Sequence, residues 1–175
     1  RQNGRQSNPE SLSRNPDREQ IGQRKPERTH RNGTAILKTA VVDASFSASW
    51  FLRDEHSPLA ETSLEMLLKE SLTLWAPSLW FYEITNLLIK AHAHSRISAS
   101  DLKEAFDLLN VLRLKTDEPD AMTSRRIGHL AQQFNLSAYD AAYLELADRL
   151  QAPLLTFDQK LLHACHARRL ETKLP

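Results

Sequence analysis

Short apolar runs in this chain alternate with longer amphipathic stretches, and that alternation constrains the fold most. Residues 39–43 (TAVVD), 72–75 (LTLW) and 153–156 (PLLT) read as short buried strands. Between them lie stretches with helical spacing. Residues 45–53 suit a helix, although Ser47 and Ser49 lower its propensity. Ser57-Pro58 opens a second helix with Ala60, Leu64, Leu67 and Leu68 as its stripe. A long helix is predicted over about 78–95, with Leu79, Tyr82, Leu87 and Ala91 inward. Further helices are expected over about 100–112, 119–134, 137–150 and 159–168. Residues 114–116 and 171–174 complete the pattern as a short strand and a final edge strand. Strands that alternate with helices pair in parallel, so the fold class is α/β, a small mostly parallel sheet flanked by helices. In such sheets ligands bind beyond the carboxyl ends of the strands.

Charge divides the chain in two. Residues 1–34 hold eight Lys/Arg and four Asp/Glu, whereas the other 141 residues hold 15 and 18. The first segment has only Leu12 and Ile21 as sizeable apolar residues, too few to offset the entropy of ordering. It is expected to be a disordered basic N-terminal extension, a loose tail or coding sequence upstream of the true start, with the folded domain spanning 35–175. No apolar segment follows its charges as a secretory signal would require. No apolar run approaches the ~18 residues needed to span a membrane. The single Cys165 excludes an intramolecular disulfide and fits a reducing cytoplasm.

Four acids occupy comparable places. Asp43 ends the first strand, and Glu83 lies about a turn into the helix after the second. Asp140 is in the first turn of the helix opened by Ser137, and Asp158 follows PLLT. Each has a plain structural explanation. Asp43 and Asp158 suit helix N-caps, Ser137 with Asp140 resembles a capping box, and the helix dipole favours Glu83. Together they point further, because each is embedded in apolar or aromatic sequence: AVVD, WFYE, AYDAAY and LLTFD. Such neighbours draw the carboxylates inward, where they repel one another. A divalent cation removes that repulsion, and a carboxylate set without a histidine cluster suits Mg²⁺ or Mn²⁺. Such a cation supplies hydroxide near neutral pH and stabilises charge on a leaving oxygen, so no Ser, Cys or His nucleophile is needed. The expected reaction is hydrolysis of a phosphodiester. One oxygen of Asp43 could cap a helix while the other binds metal.

VVDAS, PSLWFYEITN, NLSAYDAAYLELA and PLLTFD together resemble the PIN-domain ribonucleases, with the closest likeness to the VapC-like toxins of toxin–antitoxin pairs. The resemblance covers about residues 38–174, and SAYDAAYLELA followed by LLTFD is its most specific part. It implies a PIN-like three-layer sandwich and catalytic, metal-binding acids at Asp43, Glu83, Asp140 and Asp158. It further implies polar supporting residues at Ser45, Asn86 and Thr156, Mg²⁺ or Mn²⁺ as cofactor, and endonucleolytic cleavage of RNA. A homodimer, a cognate antitoxin as partner and a cytoplasmic location go with it. The basic tail departs from the compact family pattern.

Two alternatives within the fold are a module that binds RNA or protein without cleaving, and a housekeeping PIN nuclease of RNA processing. The presence of all four acids favours catalysis. A haloacid-dehalogenase-type phosphatase needs a second Asp where Ser45 stands, and four glycines in the whole chain are too few for Gly-rich phosphate loops. His163, Cys165 and His166 do not share one helix face and read as ordinary helix residues, as do His92 and His94. Most of Trp50, Phe51, Trp75, Trp80, Phe81 and Tyr82 read as core, with the cluster from Trp75 to Tyr82 a candidate dimer contact. Lys90, Arg96, Arg125, Arg126, Arg168 and Arg169 are available for phosphate contacts.

Overall fold

Ala40, Val41 and Val42 are fully buried in β1 (Lys38–Val42). A strand covered on both faces belongs in the centre of a parallel sheet. β1 pairs with β2 (Leu72–Pro77) on one side, with Val41 opposite Trp75, and with β4 (Leu154–Leu155) on the other, with Val42 opposite Leu155. β3 (Lys115–Asp117) extends the far edge of β2, one residue later than the apolar pattern indicates. All pairings are parallel, in the order β3-β2-β1-β4. This computed structural model describes residues 38–174. The expected disordered stretch 1–34 lies outside the described residues.

Seven α-helices lie among the described residues: α1 (Ala44–Ser47), α2 (Pro58–Leu68), α3 (Leu79–Ala93), α4 (Ala99–Val111), α5 (Ala121–Phe134), α6 (Ala138–Leu150) and α7 (Gln159–Arg168). Packed around the four-stranded sheet, they make an α/β sandwich. α6 is its central helix, buried at every residue from Ala141 to Ala147. Ser57, Ser98, Asp120, Ser137 and Asp158 start α2, α4, α5, α6 and α7, each accepting a backbone N–H of the first turn. Among the described residues no helix is long and apolar enough to cross a membrane.

Four expectations are corrected. Residues 45–53 do not form one helix: α1 stops at Ser47 and 3₁₀ turns follow at Ala48–Trp50 and Arg53–Glu55. Ser47 donates to the Asp43 carbonyl at 2.8 Å, and such back-bonding by serine competes with continued helix. Residues 171–174 form no strand. The Leu154 N–H reaches the Glu171 carbonyl at 2.9 Å, but a two-residue β4 has no room for a ladder. In α3 the buried stripe is Trp80, Ile84, Leu88 and Ala91, and Tyr82 is 79% exposed. Trp80 sets that phase, because its indole donates to the buried Ser47 hydroxyl at 2.9 Å. Leu68, expected in the α2 stripe, is also exposed, and Ser63 takes a buried place beside Ala60 and Leu67.

Candidate active site

At the carboxyl end of β1 the chain leaves the sheet through Asp43 into α1. Asp43 is 6% exposed and occupies the N-cap position of α1, yet its side chain makes no cap bond. The expectation that one oxygen caps the helix is thus corrected. Its Oδ2 instead accepts from the Ser45 hydroxyl and from Thr156 Oγ1, the latter at 2.8 Å. Burial raises the Asp43 pKa above its ordinary 3.8, and the Ser45 and Thr156 hydroxyls, with the Ala44 and Ser45 amides after them, only partly oppose the rise.

The two hydroxyls also shape the turn beyond β4. Ser45 Oγ accepts the Phe157 N–H at 3.1 Å, and Thr156 Oγ1 accepts the Asp158 N–H at 3.0 Å. The ends of the paired strands β1 and β4 are therefore stitched side by side. Asp158 is part of that turn through its N–H, and its Oδ1 accepts the Leu161 N–H at 2.8 Å as the cap of α7.

Glu83 comes from α3, which is tied to the Asp43 turn by the relay from Trp80 through Ser47 to the Asp43 carbonyl. Tyr143 of α6 donates its hydroxyl to Glu83 Oε2. Burial raises the Glu83 pKa above 4.5; the Tyr143 bond opposes this, and the charges of Asp43 and Asp140 add to the rise. Burial and the Glu83 carboxylate in turn push the Tyr143 phenol far above its ordinary value, so it is a donor throughout the usable pH range. Asp140, half-buried at the start of α6, accepts from the Ser137 hydroxyl at 2.7 Å. Asn86, one helical turn after Glu83, is exposed beside the same cavity as Glu83 and Ser45.

Asp43, Glu83 and Asp140 therefore come from three separate segments into one electrostatic neighbourhood. They do not close into a ligand cage: among the described residues no three His, Cys, Asp or Glu side chains could hold one ion as they stand. Each acid is satisfied by its own partner, namely Ser45 and Thr156, Tyr143, Ser137 or the Leu161 amide. The donor chemistry nevertheless fits a hard cation. Mg²⁺ keeps several waters and takes only one or two carboxylates directly, and cation charge relieves the burial and repulsion that raise Asp43 and Glu83.

Tyr143 escaped sequence reasoning. Its signal was present, since it follows Asp140 by three residues and shares a helical face with it. The fully buried Trp80 was read as core without its link to Asp43. Glu145 was also missed. It is 3% exposed and accepts from Arg126 at 2.7 Å and from Arg149 at 3.1 Å, joining α5 to α6 away from the four acids. His163 and His166 are exposed on α7. Cys165 is fully buried and its thiol is pushed up to about 11, which makes it inert packing.

A PIN domain sequence profile matches residues 40–167. Ribonuclease VapC3 of Pyrobaculum aerophilum is 30% identical over 126 residues, which cover 69% of this chain and 90% of that protein. The crystal structure of PAE2754, also from Pyrobaculum aerophilum, superposes with a TM-score of 0.53 at 22% identity, over 74% of this chain and 87% of that one. This second likeness is one of fold.

Proposed function

This chain belongs to the PIN-domain family and is VapC-like, and from that premise we propose that it is a metal-dependent endoribonuclease hydrolysing RNA phosphodiesters. The observation that carries the reading is the convergence at the carboxyl end of β1: buried Asp43 and half-buried Glu83 are both destabilised by withdrawal from water, and the charges of Asp43 and Asp140 bear on Glu83. Carboxylates withdrawn from water beside further negative charge weaken a fold unless something cationic visits them.

Asp43, Glu83 and Asp140 would hold Mg²⁺ or Mn²⁺, with Asp158 contributing from the α7 cap. When bound, the cation supplies Lewis-acid activation of water and of the scissile phosphate. Ser45 and Thr156 fix Asp43 by bonding its Oδ2. Tyr143 bonds Glu83 Oε2 and opposes the rise of its pKa. Asn86 presents a carboxamide beside Glu83, placed to orient substrate.

The role proposed is that of the toxin in a toxin–antitoxin pair, cytoplasmic and held in check by a cognate antitoxin protein. The name of the relative VapC3 supports it. A homodimer is part of the same proposal. Trp80 is buried and Trp75 half-buried, so the apolar surface offered lies on α3 at Phe81, Tyr82 and Ile89. A protein that remains monomeric in light scattering at micromolar concentration would remove the dimer.

The test of the central claim is RNA cleavage by the purified chain with Mg²⁺ or Mn²⁺, beside Asp43→Asn and Asp140→Asn. Cleavage should vanish with EDTA and drop at least a hundredfold in either variant. Wild-type activity in folded Asp43→Asn would refute the site.

A further inference from the structure

Beside Glu83 opens a cavity of about 390 Å³ whose α3 wall runs from that acid to basic side chains. Ser45 and Glu83 line its acidic end, Asn86 its middle, and Lys90, His94 and Arg96 its far end. Glu83, Asn86, Lys90 and His94 recur at the spacing of one α-helical face, so a single stripe of α3 and its C-cap forms the floor. From Glu83 to Lys90 the rise is about 10 Å.

The basic residues lining the cavity differ in how they are used. Arg96 is committed, since its Nε and Nη2 bond Asp54 at 3.0 and 2.8 Å and Nη2 also reaches Glu55 at 2.8 Å. Lys90 has Asn86 and His94 one turn away on either side, so no acid meets it at i ± 4. It makes no ion pair or side-chain hydrogen bond among the described residues. Lys69 and Lys103, on α2's C-cap and on α4, do pair with acids at that spacing. Arg126 and Arg168 are likewise spent on Glu145 and Asp148.

A lysine near a helix C-terminus has a simple explanation in the helix dipole. The dipole is indifferent to azimuth, however, and does not account for Lys90 facing the cavity that Glu83 lines. Polyanion binding does. Residues 35–175 carry more acid than base, so a phosphate chain led to a cluster of carboxylates needs local positive charge beside them. Resting on the nuclease reading above, we infer that single-stranded RNA leaves the carboxylates along α3. Lys90 binds the phosphate next to the scissile one, and His94 and Arg96 wall the path. Lys90 is then a substrate-binding residue rather than a catalytic one.

The test uses a random-sequence pool of labelled single-stranded RNA and three variants: Lys90→Gln, Lys90→Arg and Lys103→Gln. Binding is measured with Ca²⁺ in place of Mg²⁺ between 50 and 200 mM salt, and cleavage with Mg²⁺. Losing one phosphate contact should reduce the slope of log K against log salt by about 0.7. Lys90→Gln should therefore bind several-fold more weakly at low salt, with KM raised and kcat retained. Lys90→Arg should recover binding, and Lys103→Gln should match wild type. Equal slopes for Lys90→Gln and Lys103→Gln, with cleavage by wild type intact, would overturn the path and leave the nuclease standing. A fall in kcat with KM and slope unchanged would overturn it too. A wild-type chain that neither binds nor cleaves RNA would overturn both.

Discussion

Asp158 offers the sharpest separation of architecture from chemistry, because it has a visible structural duty. Its Oδ1 accepts the Leu161 amide at 2.8 Å and starts α7, which packs Leu161, Ala164 and Cys165 fully into the core. Replacing an N-cap Asp by Ala costs about 1 kcal/mol on average. Here the orphaned amide belongs to a fully buried residue and water cannot readily replace the carboxylate, so we expect about 1.5 kcal/mol. That is roughly tenfold in the folding equilibrium and about 5 °C in Tm for a domain of this size. Serine caps as well as aspartate, so Asp158→Ser should return to within about 0.5 kcal/mol of wild type. Urea denaturation monitored by tryptophan fluorescence measures both. Both variants remain overwhelmingly folded at 25 °C if the starting stability is about 5 kcal/mol or more, so cleavage can be compared directly. With a carboxylate role at the metal, Ala and Ser variants should both lose about tenfold or more in Mg²⁺-dependent cleavage despite their different stabilities. Wild-type cleavage by Asp158→Ser would reduce Asp158 to a cap. A serine variant as unstable as the alanine one would show that the Leu161 bond is not the stabilising contact.

The pH dependence of stability should carry the mark of the buried acids. Asp43 and Glu83 have folded pKa values raised above their ordinary 3.8 and 4.5, chiefly by burial. In that window the folded chain binds more protons than the unfolded one, so their contribution is present at low pH and lost as pH rises through the folded values. EDTA-treated protein should lose this contribution as pH rises above about 4, the ordinary carboxylate value. Mg²⁺ should restore it at neutral pH, and the loss should shrink in Asp43→Asn; a stability profile insensitive to the substitution in this window contradicts the assignment. Tyr143→Phe removes the bond to Glu83, raises the Glu83 pKa further and frees its rotamer. Stability should fall by about 1–2 kcal/mol and cleavage by about tenfold, with the acid limb of the pH–rate profile moved upward; an unmoved limb would make Tyr143 merely structural.

The alternation of apolar runs and helical stretches was enough to give the parallel sheet, because a strand buried on both faces has few other places to go. What the sequence did not state was phase and register. The stripe read through Leu79, Tyr82 and Leu87 moves to Trp80, Ile84 and Leu88 while Ala91 stays inward, and Trp80 bonds Ser47, a partner 33 positions away. A contact at that separation leaves no periodic trace. The same holds for Tyr143 and Glu83, 60 positions apart. The distance between the ends of β1 and β4 follows from Val42 pairing with Leu155, and only that register brings Thr156 onto Asp43. The final edge strand failed for a different reason: β4 is too short to template it.

The choice between helix cap and site acid was undecidable from sequence, because both favour an acid at a strand-to-helix junction. The structure offers an internal comparison. Asp101 and Asp120 lie in first turns or cap positions, bond helix-start groups, and have their pKa values lowered, chiefly by backbone N–H donors. This is what a carboxylate placed for helix stability should show. Asp43 occupies an equivalent position in the chain with the opposite outcome: no side-chain cap bond, near-complete burial, and a raised pKa because burial outweighs its hydroxyl and backbone donors. Glu83 shows the same raised direction, with Asp43 and Asp140 among its causes. A helix start alone would be served as well by Ser or Asn at residue 43, at no cost of buried charge. An acid that gives up its cap bond and is destabilised by its surroundings is better explained by what it binds than by what it supports.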